Sequence, residues 1–263
     1  MAELIKTLTN ALPEPIVQLG EYLLGEQCYA VLVRDVAFLT PPFPDAVVPC
    51  IKLGISKAIG LAIVGLSAVI KVPQIMKLVQ SRSVAGVSVS SVMLEALSYL
   101  AMLAYAVRVG FPFSTYGEQA FLFVQDIALI VLILIFSSRV IYAAAFVPLV
   151  LLASYQMIIA APGPTLSALS VMQAASIPLS LMSKVPQIIT IVKNKSTGQL
   201  SAVAVFAYLG GSLARVFTTI QEVDDKTILI GAVLGVILNI HLGVLMVIYW
   251  SSPVSVAKEK KDE

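Results

Sequence analysis

Seven long apolar stretches constrain this chain more than any other feature of its sequence. They cover approximately residues 57–80, 88–109, 117–136, 140–160, 165–192, 200–221 and 228–250. An α-helix of about 20 apolar residues crosses the hydrocarbon core of a bilayer, so each stretch is long enough to span a membrane. Over the whole chain 59% of the residues are hydrophobic and 12% are charged, whereas soluble domains have roughly 45–50% and 25%. The sequence therefore predicts a polytopic membrane protein.

The same stretches distinguish a helix bundle from a β-barrel, the two kinds of structure that cross a bilayer. A barrel strand alternates apolar and polar residues, whereas residues 127–136 are apolar at every position. We therefore predict an all-α polytopic membrane protein with seven transmembrane helices. Residues 14–40 are interrupted by charges and followed by prolines, and we expect an interfacial helix there.

A five-residue sequence that occurs twice indicates an internal duplication. Residues 71–75 read Lys-Val-Pro-Gln-Ile, and residues 184–188 repeat them 113 positions later. The same offset aligns identical residues in two further helices, for example Leu100 with Leu213. We predict two copies of a three-helix unit, and the fourth helix joins them so that both copies have the same orientation in the membrane.

The orientation follows from the basic residues, which in short loops lie mainly on the cytosolic side. Here they follow the first, third, fifth and seventh helices, whereas the acidic Glu222, Asp224 and Asp225 lie at the opposite side. We therefore expect a lumenal N-terminus and a cytosolic C-terminus. With that orientation, Lys260 and Lys261 match a dilysine signal for retrieval to the endoplasmic reticulum; a charged, solvated tail is the alternative.

This organisation divides the chain into five parts. They are a lumenal N-terminal region with the interfacial helix (1–53), a first three-helix repeat (54–137), a linker transmembrane helix (138–162), a second three-helix repeat (163–251) and a cytosolic tail (252–263).

The prolines of the repeated motif are expected to kink the helices that contain them. Pro73 and Pro186 each remove one backbone hydrogen bond, and Gln74 and Gln187 could supply an amide to the freed carbonyl or to a ligand. A matched pair of interrupted helices points to a binding site or a hinge between the repeats. The alternative is that both prolines only shape the bundle.

Ionisable residues inside membrane helices are costly and are therefore candidates for function. Lys71 and Glu95 lie at comparable depth and Asp126 lies near the middle of its helix, so we predict that the three pair. At the offset of 113, Glu95 corresponds to Tyr208 and Asp126 to Asn239, so the second repeat lacks both acids.

Lys184 and Arg215 are thus predicted to be unbalanced cations of the second repeat. Together with Lys71, Glu95, Asp126 and Asn239 they form the candidate set for binding a phosphate or another ligand. The alternative is that Arg215 pairs with Asp126 or Glu222 and that Lys184 reaches towards the headgroups.

The two cysteines, Cys28 and Cys50, are a candidate disulfide because both precede the first span and would share an oxidising compartment. Two free thiols are the alternative. We predict neither a metal site nor a cofactor, since His241 is the sole histidine and is remote from both cysteines. A net charge of +2 argues against a nucleic-acid partner. An enzyme is disfavoured because the short loops carry no nucleophile with a placed base and no Gly-rich phosphate loop.

Several segments resemble the PQ-loop repeat family. They are the two Lys-Val-Pro-Gln motifs, Phe111 to Ser114 with Gly117-Glu118, and Thr197 to Glu222. Members of this family include SWEET-type sugar transporters and cystinosin-type lysosomal transporters. The resemblance implies two parallel three-helix repeats joined by a linker helix.

Within that family, the stretch from Thr197 to Glu222 is most similar to a branch that serves glycosylation. The resemblance implies an endoplasmic-reticulum membrane protein required for the use of dolichyl-phosphate mannose and dolichyl-phosphate glucose. These lipids are donors for N-glycan precursors, GPI anchors and protein mannosylation. The implied role is that of a non-enzymatic handler that presents the lipid-linked sugars or aids their flipping, with membrane lipid and glycosyltransferases as further partners.

Two other functions fit the same sequence. One is an alternating-access transporter of a small sugar or amino acid, and the other is a sorting or scaffold receptor for glycosyltransferases.

Overall fold

A computed structural model describes residues 2–39, 41, 44–82, 84, 89–182, 185–197 and 202–249. Within these residues the chain is helical and contains no β-strand. Lys184, Lys260 and Lys261, which the sequence marked as candidate ligand-binding and retrieval residues, lie outside the described residues.

The described helices follow one another along the chain in the order α1 to α12. Their bounds are Ala2–Asn10 (α1), Glu14–Leu24 (α2), Glu26–Tyr29 (α3), Val47–Ser67 (α4), Val72–Ser81 (α5), Val89–Val109 (α6), Phe113–Phe136 (α7), Val140–Ile158 (α8), Leu166–Met182 (α9), Val185–Asn194 (α10), Ala202–Glu222 (α11) and Lys226–Ile248 (α12). A π-helical turn at Ala30–Arg34 and a 3-10 turn at Ala37–Leu39 connect α3 to the bundle.

Helices lie in the described parts of all seven predicted spans. Among the described residues, five helical segments are long and apolar enough to cross a membrane, the first of which joins α4 and α5: Val47–Ser81, Val89–Val109, Phe113–Phe136, Val140–Ile158 and Lys226–Ile248. A shorter apolar helix covers Leu166–Pro178. The predicted fold class, an all-α polytopic membrane protein, is confirmed.

The internal duplication is visible in the positions of the helices. Helices α5 and α10 each have 10 residues and begin at positions 72 and 185, and α6 and α11 each have 21 residues and begin at 89 and 202. Helices α7 and α12 begin at 113 and 226. Each pair is separated by 113 residues, the offset of the sequence repeat.

The packing between helices follows the same symmetry. In each repeat the second helix packs on the third, α6 on α7 and α11 on α12. Across the repeats the first helix of one copy packs on the second helix of the other, α4 on α11 and α9 on α6. The two copies therefore meet along two related seams, and residues between the seams lie at the centre of the bundle.

Each repeat also has its own apolar core, built from equivalent positions. The first contains Leu78, Val92, Ala96, Leu129, Ile130 and Ile133, and the second contains Ile191, Val205, Leu242, Leu245 and Met246. Four residues of the first core have a counterpart 113 positions later in the second, which relates Leu78 to Ile191 and Val92 to Val205. The alternation of apolar faces in the duplicated sequence thus builds the same core twice.

Local signals in the sequence account for the turn between each repeat's second and third helices. After α6 the chain turns at Gly110, whose φ of +85° favours glycine, and Pro112 precedes the first residue of α7. Before α12 the side chain of Asp225 accepts hydrogen bonds from the backbone N–H groups of Thr227 and Ile228, at 2.8 and 3.1 Å. An N-cap of this kind satisfies donors that have no partner inside the helix.

Pro73 does not kink a continuous helix, which corrects the prediction for the first repeat. Helix α4 ends at Ser67 and α5 begins at Val72, so Pro73 lies in the first turn of a new helix. Proline is tolerated there because its missing N–H would have no acceptor within the helix. Pro186 is the second described residue of α10, and residues 183 and 184 lie outside the described part of the chain. In the first repeat the motif therefore marks a break between two helices.

The region before α4 also differs from the prediction of one interfacial helix. Helices α2 and α3 are separated at Gly25, whose φ is +76°. Tyr29 of α3 packs against α2 at Gly20, where a Cβ would lie 2.3 Å from the ring. A disulfide joins Cys28 to Cys50, with a Cα–Cα distance of 5.1 Å, and ties α3 to the first turn of α4.

Candidate functional site

A cavity of about 240 Å³ lies at the centre of the bundle, between the two repeats. Its walls come from α6 and α7 of the first repeat and from α9, α11 and α12 of the second. The lining includes Ser98, Tyr99, Met102, Phe111, Thr115, Glu118, Gln119, Gln173, Ser176, Ile177, Arg215, Thr219, Val223, Ile228, Gly231 and Ala232. The cavity therefore lies where symmetric repeats commonly hold a ligand.

An ion pair between the repeats forms one side of this cavity. Arg215 of α11 pairs with Glu118 of α7, and its Nη1 donates to the backbone carbonyl of Thr115 at 3.1 Å. Both charged side chains are about four-fifths buried, at 20% and 19% exposure. Arg215 is thus balanced by an acid, which contradicts the prediction that it is an unbalanced cation.

The partner of Arg215 was not identified from the sequence. The two acids predicted as alternative partners of Arg215 pair with other cations, Asp126 with Lys71 and Glu222 with Lys57. Glu118 is close to the start of α7 and was not among the predicted site residues. Because α7 packs against α11, however, the first turns of α7 lie beside Arg215 rather than in water.

Two amide side chains in the cavity wall have acceptor oxygens without a partner among the described residues. The Nε2 of Gln119 donates to Glu118 at 2.9 Å, which fixes the orientation of the amide and leaves its Oε1 without a donor. Gln173 of α9 is 7% exposed, and its Oε1 is likewise unpartnered. Buried acceptors normally have a donor, so both oxygens are suited to accept hydrogen bonds from the hydroxyl or ammonium groups of a ligand.

A second ionic cluster contacts Tyr99, one of the residues that line the cavity. Lys71, which precedes α5, pairs with Glu95 of α6 at 3.0 Å and with Asp126 of α7. The hydroxyl of Tyr99 donates to Glu95 at 2.7 Å, and the Lys71 ammonium lies 5.4 Å from the centre of the Tyr99 ring. The predicted association of Lys71, Glu95 and Asp126 is confirmed. Tyr99 links this cluster to the cavity, because it lines both.

The break between α4 and α5 is held by a residue that the sequence did not single out. Gln125 of α7 accepts from the backbone N–H of Lys71 at 2.9 Å and donates to the carbonyl of Ser67 at 2.8 Å. These are the backbone groups that the interruption leaves without helical partners. The sequence offered Gln74 as an amide for a freed carbonyl or for a ligand, and its side chain is exposed.

A buried polar cluster connects three helices next to the cavity and was also missed. Lys57 of α4 pairs with Glu222 of α11 at 2.7 Å, and Ser56 and Ser114 both donate to the Glu222 carboxylate. Glu222 is 1% exposed. Its carboxylate therefore joins α4 and α7 of the first repeat to α11 of the second.

Of the other predicted residues, Asn239 lies outside the cavity lining and donates to the carbonyl of Tyr208 at 3.2 Å. Pro73 is exposed on α5. The side chains of Pro186 and Gln187 lie outside the described residues, although both positions belong to α10.

These features define a polytopic helical membrane protein with two repeats and a polar cavity between them. The family model of the PQ loop repeat matches twice, at residues 55–115 and 168–228, again 113 residues apart. Human solute carrier family 66 member 3 is 31% identical over 185 residues, which cover 70% of this chain and 89% of that protein. No solved structure matches this chain. The chain belongs to the PQ-loop repeat family, whose repeat-based architecture here resembles that of membrane transporters.

Proposed function

We propose that the central cavity binds the hexose of dolichyl-phosphate mannose and dolichyl-phosphate glucose. The protein then acts as a non-enzymatic handler that presents these lipid-linked sugars or aids their flipping. The observation that carries this proposal is the pair of unpartnered acceptors, Gln119 Oε1 and Gln173 Oε1, in the wall of the cavity between the repeats. A hexose presents several hydroxyl donors to such acceptors.

The remaining lining supports a sugar in preference to a bare phosphate. Tyr99 and Phe111 provide aromatic surfaces, and Glu118 provides carboxylate oxygens. The positive charge of Arg215 is already balanced by Glu118, so a phosphate at this position would have to displace the carboxylate. A volume of 240 Å³ is below the roughly 300–1,000 Å³ of sites for drug-sized ligands and suits one sugar unit.

The similarity of particular segments supports the link to dolichyl-phosphate sugars. The stretches from Phe111 to Glu118 and from Thr197 to Glu222 resemble the mannose-P-dolichol utilization defect protein. Those two stretches contribute the ion pair of the cavity, Glu118 and Arg215. We accordingly propose an endoplasmic-reticulum location, a lumenal N-terminus and a cytosolic C-terminus with Lys260 and Lys261 as retrieval signal.

Transport of a small sugar or amino acid is the second candidate. The name of the human relative, a solute carrier, favours it, as does the arrangement of the cavity between two symmetry-related seams. Repeats that rock about such a site would expose it alternately to either side of the membrane.

Binding to the purified protein in nanodiscs separates these functions. We expect saturable binding of dolichyl-phosphate mannose that exceeds the binding of dolichyl phosphate and of free mannose. Binding of free mannose alone would favour the transporter. Binding of neither sugar form, combined with lipid-independent co-purification of a glycosyltransferase, would contradict the proposal and favour the scaffold receptor.

A further inference from the structure

The cluster of Lys71, Glu95 and Asp126 contains more acidic than basic groups, and the proposed sugar binding does not account for this excess. One ammonium group contacts two carboxylates, so the fully ionised cluster carries one net negative charge. The cluster lies inside the membrane-spanning part of the chain, where Asp126 is 0% exposed. A net charge in such surroundings is costly, whereas a cluster that binds one proton is neutral.

The geometry around Asp126 indicates where the proton can be held. One carboxylate oxygen, Oδ1, contacts the Lys71 ammonium, and the other, Oδ2, is buried without a partner among the described residues. A buried carboxylate oxygen without a donor is the expected acceptor of a proton. A metal ion would need several ligands, and the described residues contain no group of three or more acidic, histidine or cysteine side chains suited to one.

The titratable groups that face Asp126 are Lys71, from the break before α5, and Glu95 and Tyr99, from α6. Glu118 lies eight residues earlier on α7, about 12 Å along the helix, and is paired with Arg215. The side chain of Glu95 is 44% exposed. Glu95 precedes Ser98, Tyr99 and Met102 by three, four and seven residues, so it shares the face of α6 that lines the cavity. A proton can therefore pass from the cavity through Glu95 to the enclosed Asp126.

We propose that the Glu95–Asp126 carboxylate pair binds one proton, which makes this cluster a proton-binding site of the first repeat. A hydronium ion gives its proton to a carboxylate oxygen, an O–H bond forms, and water leaves; no electrons are transferred. The site is absent from the second repeat, where the equivalent positions hold Tyr208 and Asn239. Asn239 is the neutral isostere of a protonated Asp126.

Proton binding at this place acts directly on the helix break. Lys71 provides both the ammonium group of the cluster and the backbone N–H that Gln125 holds across the break. Neutralising Asp126 leaves Glu95 as the one charged partner of Lys71 within the described part of the chain and weakens the contact between the break and α7. The same step changes the surroundings of Tyr99, which lines the sugar cavity.

Infrared difference spectroscopy between acidic and alkaline pH tests the proposal on the full-length protein in nanodiscs, without any sugar ligand. We expect the C=O band of one protonated carboxyl group, and we expect Asp126→Asn and Glu95→Gln each to abolish it. Either substitution leaves one carboxylate that Lys71 balances, so no proton is needed. Glu21→Gln is the control, because the Glu21 carboxylate already has Arg34 as its cation and both side chains are partly exposed.

Absence of the band in the wild-type protein, or its persistence in either cluster variant, would overturn the proposal. If Asp126→Asn does not fold, Glu95→Gln alone decides, since the Glu95 side chain is 44% exposed whereas Asp126 is fully buried. Because no sugar is present, failure here leaves the proposed sugar binding unaffected, and failure of sugar binding leaves this result unaffected.

Discussion

Gln173 shows how one buried amide can be tested for its role in the cavity. Its Oε1 has no partner among the described residues, and we propose that a sugar hydroxyl donates to it. Gln173→Leu removes a hydrogen bond worth about 0.5–1.5 kcal/mol, so affinity for dolichyl-phosphate mannose should fall roughly 2- to 10-fold in nanodisc binding assays.

Gln74→Leu is the matched control for this substitution. The Gln74 side chain is exposed and lies outside the cavity lining, so its replacement should leave the affinity unchanged. Equal affinities for the wild-type protein and the Gln173→Leu variant would place the sugar elsewhere.

The pair of Lys57 and Glu222 is a residue-scale test of stability. Both side chains are buried, and Lys57→Met would leave a carboxylate in the interior without its cation. Breaking a buried pair in this way typically costs about 3–5 kcal/mol, so we expect a clear fall in the thermal unfolding temperature in detergent. The double variant Lys57→Met/Glu222→Gln removes the stranded charge and should recover most of the loss.

Arg34→Gln provides the comparison for an exposed ion pair. Arg34 and Glu21 are 47% and 30% exposed, and such pairs contribute roughly 0–1 kcal/mol.

A double variant at Lys57 and Glu222 that is no more stable than Lys57→Met would show that the two charges are not coupled.

At the scale of elements, the approach of α4 to α7 depends on Gly60. A Cβ at this position would lie 2.8 Å from the backbone carbonyl oxygen of Ser114, which cannot move without shifting α7. We expect Gly60→Ala to lower stability by about 1–3 kcal/mol, as overpacking does, measured by thermal unfolding in detergent.

Gly65 lies on the same helix and supplies the matched control. A Cβ there meets nothing within 4 Å, so Gly65→Ala should be neutral or gain about 0.5–1 kcal/mol from the lower flexibility of alanine. A Gly60→Ala variant as stable as Gly65→Ala would contradict the close approach of α4 and α7.

The positions of the transmembrane helices could be predicted from the sequence, whereas the break between α4 and α5 could be predicted only in part. Apolar length and the repeated offset predict where each transmembrane segment lies, because both depend on the order of residues alone. The break between Ser67 and Val72 depends in addition on Gln125, which is far away in sequence and supplies the missing backbone hydrogen bonds. Without knowledge of that partner, a proline in an apolar stretch is equally compatible with a kinked helix and with a break between two helices.

At the scale of the whole molecule, N-glycosylation tests the predicted orientation in the membrane. The natural sequence Asn194-Lys195-Ser196 is an acceptor for N-glycosylation, but we predict that it faces the cytosol and stays unmodified. An acceptor site introduced into the region before α4 should be glycosylated in microsomes. The opposite orientation would give the reverse result. Asn194, or an acceptor appended after residue 263, would then be glycosylated, and the acceptor before α4 would not.

The sequence by itself determined the fold class, the duplication and the association of Lys71 with Glu95 and Asp126. These follow from the cost of exposing polar backbone to lipid, from the fixed offset of 113 residues, and from the need of a buried cation for an acid at equal depth. Each of these arguments needs only the position of a residue along its own helix.

Only the tertiary structure decided which residues form the cavity and how Arg215 is balanced. Glu118, Gln119, Gln173 and Arg215 come from three helices, and their meeting depends on the two seams along which α4 packs on α11 and α9 on α6. Depth along a helix does not specify the direction in which a side chain points around the axis, nor which neighbour it meets. Packing of the two repeats sets both, and it pairs Arg215 with Glu118, beside two acceptor oxygens that have no partner among the described residues.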